Sequence, residues 1–186
     1  MGQYYFLVAS LPYLSKDSNV QLTVSDFQDL CREQLTKSDF EIIETCKLNN
    51  FNLNETSNNT FLKWQLWEIN LRNELLKLRS QKKGIQPDKY FASCERIIEV
   101  DEIARNAFNQ ISPLDAENML DSARWDFLNS MEVGNYFNID KLILYSLKLQ
   151  LLGKKASYNK EQGTEEFNKL KQAKLEKIKS GENVYD

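Results

Sequence analysis

Apolar positions recur with a helical period along most of this chain, and the stretch from Pro113 to Gly153 shows it most fully. Ser112 followed by Pro113 starts a helix, because serine caps free N–H groups and proline is tolerated at the first helical position. Ala116, Leu120, Ala123, Phe127 and Met131 form one stripe, with Leu114, Trp125 and Leu128 nearly opposite. Gly134 lies just past the end of this helix, where a left-handed residue is favoured. Asn138 caps a second helix and Gly153 closes it. Leucine, isoleucine and tyrosine between Leu142 and Leu152 cover almost the whole of that helix, so it belongs in a core. The gap is filled by Lys141 and Lys148, with Lys155 one heptad further on, and this lysine line reads as the one wet edge.

The same pattern organises the rest. Tyr4–Ala9 is a short apolar block, either a strand or a first helical turn. Ser25 with Gln28, and Ser38 with Glu41, are capping-box signatures that start helices over about 25–35 and 38–48. Residues 49–59 form a polar loop, expected to be the most mobile internal segment. The longest helix is predicted over 59–83, ended by Gly84 and Pro87. It is apolar on two sides, through Phe61, Trp64, Trp67, Leu71, Leu75 and Leu78, then Leu62, Leu66, Ile69 and Leu76. A further helix lies within 88–111, and a last one over 164–179 with Phe167, Leu170, Leu175 and Ile178 on a narrow face. These readings add up to an all-α protein: a single-domain, elongated bundle of about six to seven helices over residues 1–180, with 181–186 as a disordered tail.

Composition agrees and removes several function classes. Hydrophobic content of 41% and charged content of 27% are ordinary for a folded chain, and 6 Gly with 3 Pro argue against a many-turned β-sandwich. A net charge of −3 gives no global reason to expect nucleic acid. Residues 154–180 are locally basic, with eight Lys against four Glu, yet carry no Arg for base readout. The three cysteines are odd in number and lack metal-ligand spacing, which suits free thiols in a reducing cytoplasm. Neither a signal peptide nor a membrane span is expected.

The chain has no histidine, which removes histidine-activated nucleophiles and most zinc sites. There is no phosphate-cradling glycine loop, and no metal or cofactor is expected. Three features remain. Glu68, Arg72 and Arg79 share one strip of the long helix, as an intrahelical ion pair or as an anion or partner contact. Arg124 and Trp125 either pack a second layer or anchor an interface. Lys141, Lys148 and Lys155 are either solvated or a docking stripe for an acidic partner or an anionic membrane surface.

Several motifs stand in a recognisable order: YYFLVASLPYL (4–14), Phe27 and Cys31 with LTKSDF (35–40), WEINLRNELLKLR (67–79), PLDAENMLDSARWDFL (113–128) and FNIDKLILYSLKLQLL (137–152). Together they resemble a family of uncharacterised bacterial proteins encoded in operons for V/A-type ATPases. More loosely, they resemble the helical stalk subunit that links the rotor shaft of such an ATPase to its membrane ring. The resemblance implies a non-enzymatic accessory or stalk-like subunit of a proton- or sodium-translocating rotary ATPase. Its partners would be ATPase subunits, with peripheral contact at the membrane ring and no nucleic acid. Arg124, Trp125, Lys141, Lys148 and Lys155 would meet the partner. The alternatives are a small helical enzyme or anion-binding domain using Glu68, Arg72 and Arg79, and a nucleic-acid-binding module using the C-terminal lysines.

Overall fold

The computed structural model describes residues 2–17, 21–53, 57–86, 91–92, 94–158 and 160–180. Among these residues eight helices follow in order: α1 (Gly2–Ser10), α2 (Val24–Gln34), α3 (Lys37–Thr45), α4 (Asn59–Lys83), α5 (Glu99–Phe108), α6 (Pro113–Ser130), α7 (Ile139–Ala156) and α8 (Lys160–Ser180). There is no strand among the described residues, so the fold is all-α. The apolar block at the N-terminus is helical, as α1. The expected tail at 181–186 lies outside the described residues.

Helix ends follow local chemistry, with two shifts from the sequence reading. The Asn58 side chain accepts from the Phe61 N–H to start α4, and Gly84 at φ 66° ends it. Ser112 caps α6 through the Asp115 N–H, and Gly134 takes φ 87° in the turn beyond it. The caps of α2 and α3 are Thr23 and Thr36, each accepting from the N–H of an aspartate, Asp26 and Asp39. Thr23 and Asp26 make the full reciprocal box. Aspartate thus does what Glu or Gln was expected to do, and Ser25 and Ser38 fall inside the first turns. Gly153 does not close α7, which continues to Ala156. A glycine stops a helix by turning left-handed, and among the described residues only Gly84 and Gly134 have positive φ.

The chain divides into two compact units, Met1–Leu152 and Gly153–Asp186. In the first, α1 packs on α2, α2 on α3, α4 on α5 and α5 on α6. The flat faces of Trp67 and Phe127 stack 4.7 Å apart and join α4 to α6. Leu142, Ile143, Leu144 and Leu147 of α7 are wholly buried, as its all-round apolar pattern requires. Tyr145 meets Phe27 of α2 at 5.2 Å, and Gln150 bonds the chain after α3 by donating to the Cys46 carbonyl and accepting from the Leu48 N–H. Asp140 at the start of α7 accepts from the Asn58 amide at the start of α4. Cys31 and Cys46 are buried and all three cysteines are free; burial pushes the Cys31 and Cys46 thiols up to about 12. In the second unit, Phe167, Leu170 and Leu175 of α8 are exposed.

Candidate functional site: a cavity over Lys148 and Trp125

Long polar side chains link the C-terminal end of α6 and the turn at 131–138 to the start and the middle of α7. The Lys148 ammonium donates to Asn129 Oδ1 at 2.6 Å and lies 2.8 Å from Glu132 Oε1. Lys141 donates to the same Glu132 oxygen at 2.8 Å. One carboxylate oxygen therefore holds two ammonium groups. Lys148 also sits 5.2 Å from the centre of the Trp125 ring, a cation–π arrangement.

These groups form one wall of a cavity of about 300 Å³ roofed by residues 11–16. Leu14 and Val8 add apolar surface, and Tyr145 ties the roof down by donating to the Pro12 carbonyl at 3.0 Å. Lys16 faces the same space, bonded to Ser122 and 3.8 Å from Asp126. Burial pulls Lys148 below the usual lysine range, with Lys141 adding to the pull and Glu132 opposing it. Burial raises Glu132, but its bonds to Lys141 and Lys148 outweigh this and hold it below the usual carboxylate range. Burial pushes the Tyr145 hydroxyl up to about 12.

A second cluster lies deeper. Arg124 donates through Nε to Glu68 Oε2 at 2.9 Å and through Nη2 to Glu68 Oε1 at 3.0 Å. Its Nη1 reaches Asp121 at 2.7 Å and Glu117 at 3.4 Å. Arg72 adds a bond to Glu68 Oε1 at 2.9 Å. Burial alone would lower Arg124, but Glu68 and Asp121 more than offset it and raise its basicity. Among the described residues no group of three or more His, Cys, Asp or Glu is placed to hold a metal ion.

Comparison with known families places residues 86–179, just over half of the chain, in a family described as protein of unknown function, DUF2764. The chain belongs to the DUF2764 family. The matched stretch includes Arg124, Trp125, Glu132, Lys141 and Lys148, so the cavity wall contributed by α6 and α7 is DUF2764 sequence, whereas the roof at 11–16 precedes it. No curated protein and no solved structure matches the chain.

The expected site residues of this DUF2764 chain are redistributed by the fold. Arg124 is 7% exposed and Trp125 6%, so both are core rather than contact surface. Lys148 is 4% exposed: the lysine line is not a wet edge, because α6 supplies Asn129 and the turn after it supplies Glu132 as partners. Lys141 is half-buried on the same carboxylate, and only Lys155 is exposed as expected. Glu68 is buried beneath Arg124, while Arg72 and Arg79 line a separate cleft beside Phe51. Glu132 and Asn129 escaped the sequence reading. Their signal is weak, since Glu132 simply falls in the polar turn after α6, nine residues before Lys141.

Proposed function

We propose that this DUF2764 protein acts by contact rather than by catalysis, as an accessory or stalk-like subunit of a V/A-type rotary ATPase. It would work in the cytoplasm, peripheral to the membrane through that complex. The observation that carries the reading is the order and spacing of the five motifs, which resemble the family encoded beside such ATPases. The cross-braced scaffold, with Glu68, Arg72 and Arg124 joined across α4 and α6, suits a part that transmits force. No helix among the described residues is long and apolar enough to cross a membrane, in keeping with a peripheral subunit.

With Arg124, Trp125 and Lys148 buried, the contact belongs elsewhere. Tyr5 and Phe6 of α1 are exposed and lie edge to face at 5.8 Å, and Tyr5 also meets exposed Phe137 at 4.8 Å. Aromatic residues are enriched in interface cores, so this cluster is the surface assigned to the ATPase partner. Affinity capture from native membranes tests both points. The wild type should recover ATPase subunits, and a Tyr5→Ser/Phe6→Ser/Phe137→Ser variant with an unchanged melting temperature should lose them. Recovery no better than from an untagged control would overturn the reading.

A further inference from the structure

The cavity over Lys148 takes no part in that contact, and its lining has an unusual charge balance. Glu132 Oε1 is shared by Lys141 and Lys148, so a single carboxylate answers two ammonium groups. Lys16 brings a third ammonium to the same space and Asp126 stands 3.8 Å from it. On Glu132 itself one positive charge is in excess, beside a Lys148 that is only 4% exposed. Uncompensated charge held away from water is costly, and two like charges on one oxygen add mutual repulsion. An anion in the cavity relieves both.

Geometry defines what kind of anion fits. An ammonium has more donors than the acceptors found here: Lys148 meets Asn129 and Glu132, and Lys141 meets Glu132. Lysines rather than arginines line the wall, giving point charges that accept a carboxylate or a phosphate head without demanding a planar fork. Trp125, Leu14 and Val8 line the same space with apolar surface. Its volume of about 300 Å³ stands at the small end of small-molecule pockets, roughly 300–1,000 Å³.

We propose that this cavity binds a small organic anion, with its carboxylate or phosphate head on Lys141 and Lys148 and its apolar body against Trp125 and Leu14. The roof at 11–16, held by the bond from Tyr145 to Pro12, closes over the ligand. This site is independent of the ATPase assignment, and it differs from the Glu68, Arg72 and Arg79 strip, whose carboxylate is already occupied by Arg124.

The test is a titration of the full chain, labelled with ¹⁵N at tryptophan, with phenyl phosphate, benzoate and uncharged benzyl alcohol. Trp64 and Trp67, buried on α4, serve as internal references. Phenyl phosphate or benzoate should shift the Trp125 indole signal saturably with a millimolar or tighter Kd, about −4 kcal/mol or better, and benzyl alcohol should not. The stronger of the two anions identifies the head group. Lys141→Met, checked for an unchanged melting temperature, should weaken binding at least roughly tenfold, and Lys148→Met more if it folds. No saturable shift by about 10 mM of either anion, an equal response to the alcohol, or unchanged affinity in Lys141→Met would overturn the proposal.

Discussion

Arg124 on α6 grips Glu68 on α4 with two parallel bonds, of 2.9 and 3.0 Å, across 56 residues of sequence. Both side chains are nearly sealed from water, at 9% and 1% exposure. Breaking one half of a buried pair strands the other charge, so Arg124→Leu should cost about 3–5 kcal/mol in urea unfolding. Glu68→Gln should cost less, because Arg124 keeps Asp121. The double variant Glu68→Leu/Arg124→Leu should recover much of the loss. A double variant no more stable than Arg124→Leu would show that the cost lies in packing instead.

Acid should loosen the α6–α7 bridge. Glu132 is held below the ordinary carboxylate value of 4.5 by Lys141 and Lys148, against the opposing effect of burial. A depressed folded value means that the folded state binds fewer protons. The stabilisation is thus complete above 4.5 and is lost as pH falls through the lower folded value. Thermal melts of the wild type and Glu132→Gln should therefore differ at pH 6 to 7 and converge toward about pH 3. Parallel curves across that span would contradict this.

Charge reversal separates the three lysines of the α7 line and its basic extension. Lys148→Glu sets a carboxylate against Glu132 and removes the Asn129 bond, which should cost about 3–5 kcal/mol. Lys155→Glu and Lys174→Glu, at exposed positions, should stay within about 1 kcal/mol of the wild type. Comparable melting temperatures for all three would place Lys148 at the surface after all.

Leu147 lies wholly buried in the middle of α7. Truncation to Ala should cost about 2–5 kcal/mol, from lost transfer energy and the cavity left behind. Leu114, on the first turn of α6, is 56% exposed, and its replacement by Ala should cost under about 0.5 kcal/mol. Equal losses at the two sites would mean that α6 and α7 are not buried as described.

The sequence was most readable where one residue decides a backbone geometry. The bounds of α4, the Ser112 cap and the turn glycines at 84 and 134 were all legible from capping chemistry. Gly153 was misread because position alone cannot tell a terminating glycine from one in helical conformation. The burial of α7 followed from its apolar circumference, but the lysines did not. A helical wheel marks Lys141 and Lys148 as polar and assigns them to water, whereas a polar side chain can equally meet polar groups of a neighbouring helix. Those partners, Asn129 and Glu132, sit 19 and 9 residues away from the lysines that bond them. No local period encodes such pairings. The bond between Glu68 and Arg124 was invisible for the same reason.

The short reach of the Glu132 bridge has a kinetic consequence. Joining Glu132 to Lys141 closes a loop of only a few residues, whereas the Glu68–Arg124 pair must close one of more than fifty. Loop-closure entropy grows with the length enclosed, and contacts near in sequence are those a chain makes soonest. The α6–α7 turn is therefore the segment best placed to order first, with α4 docking onto it in a later step. Glu132→Gln should slow refolding in proportion to its loss of stability, while Arg124→Leu should chiefly hasten unfolding.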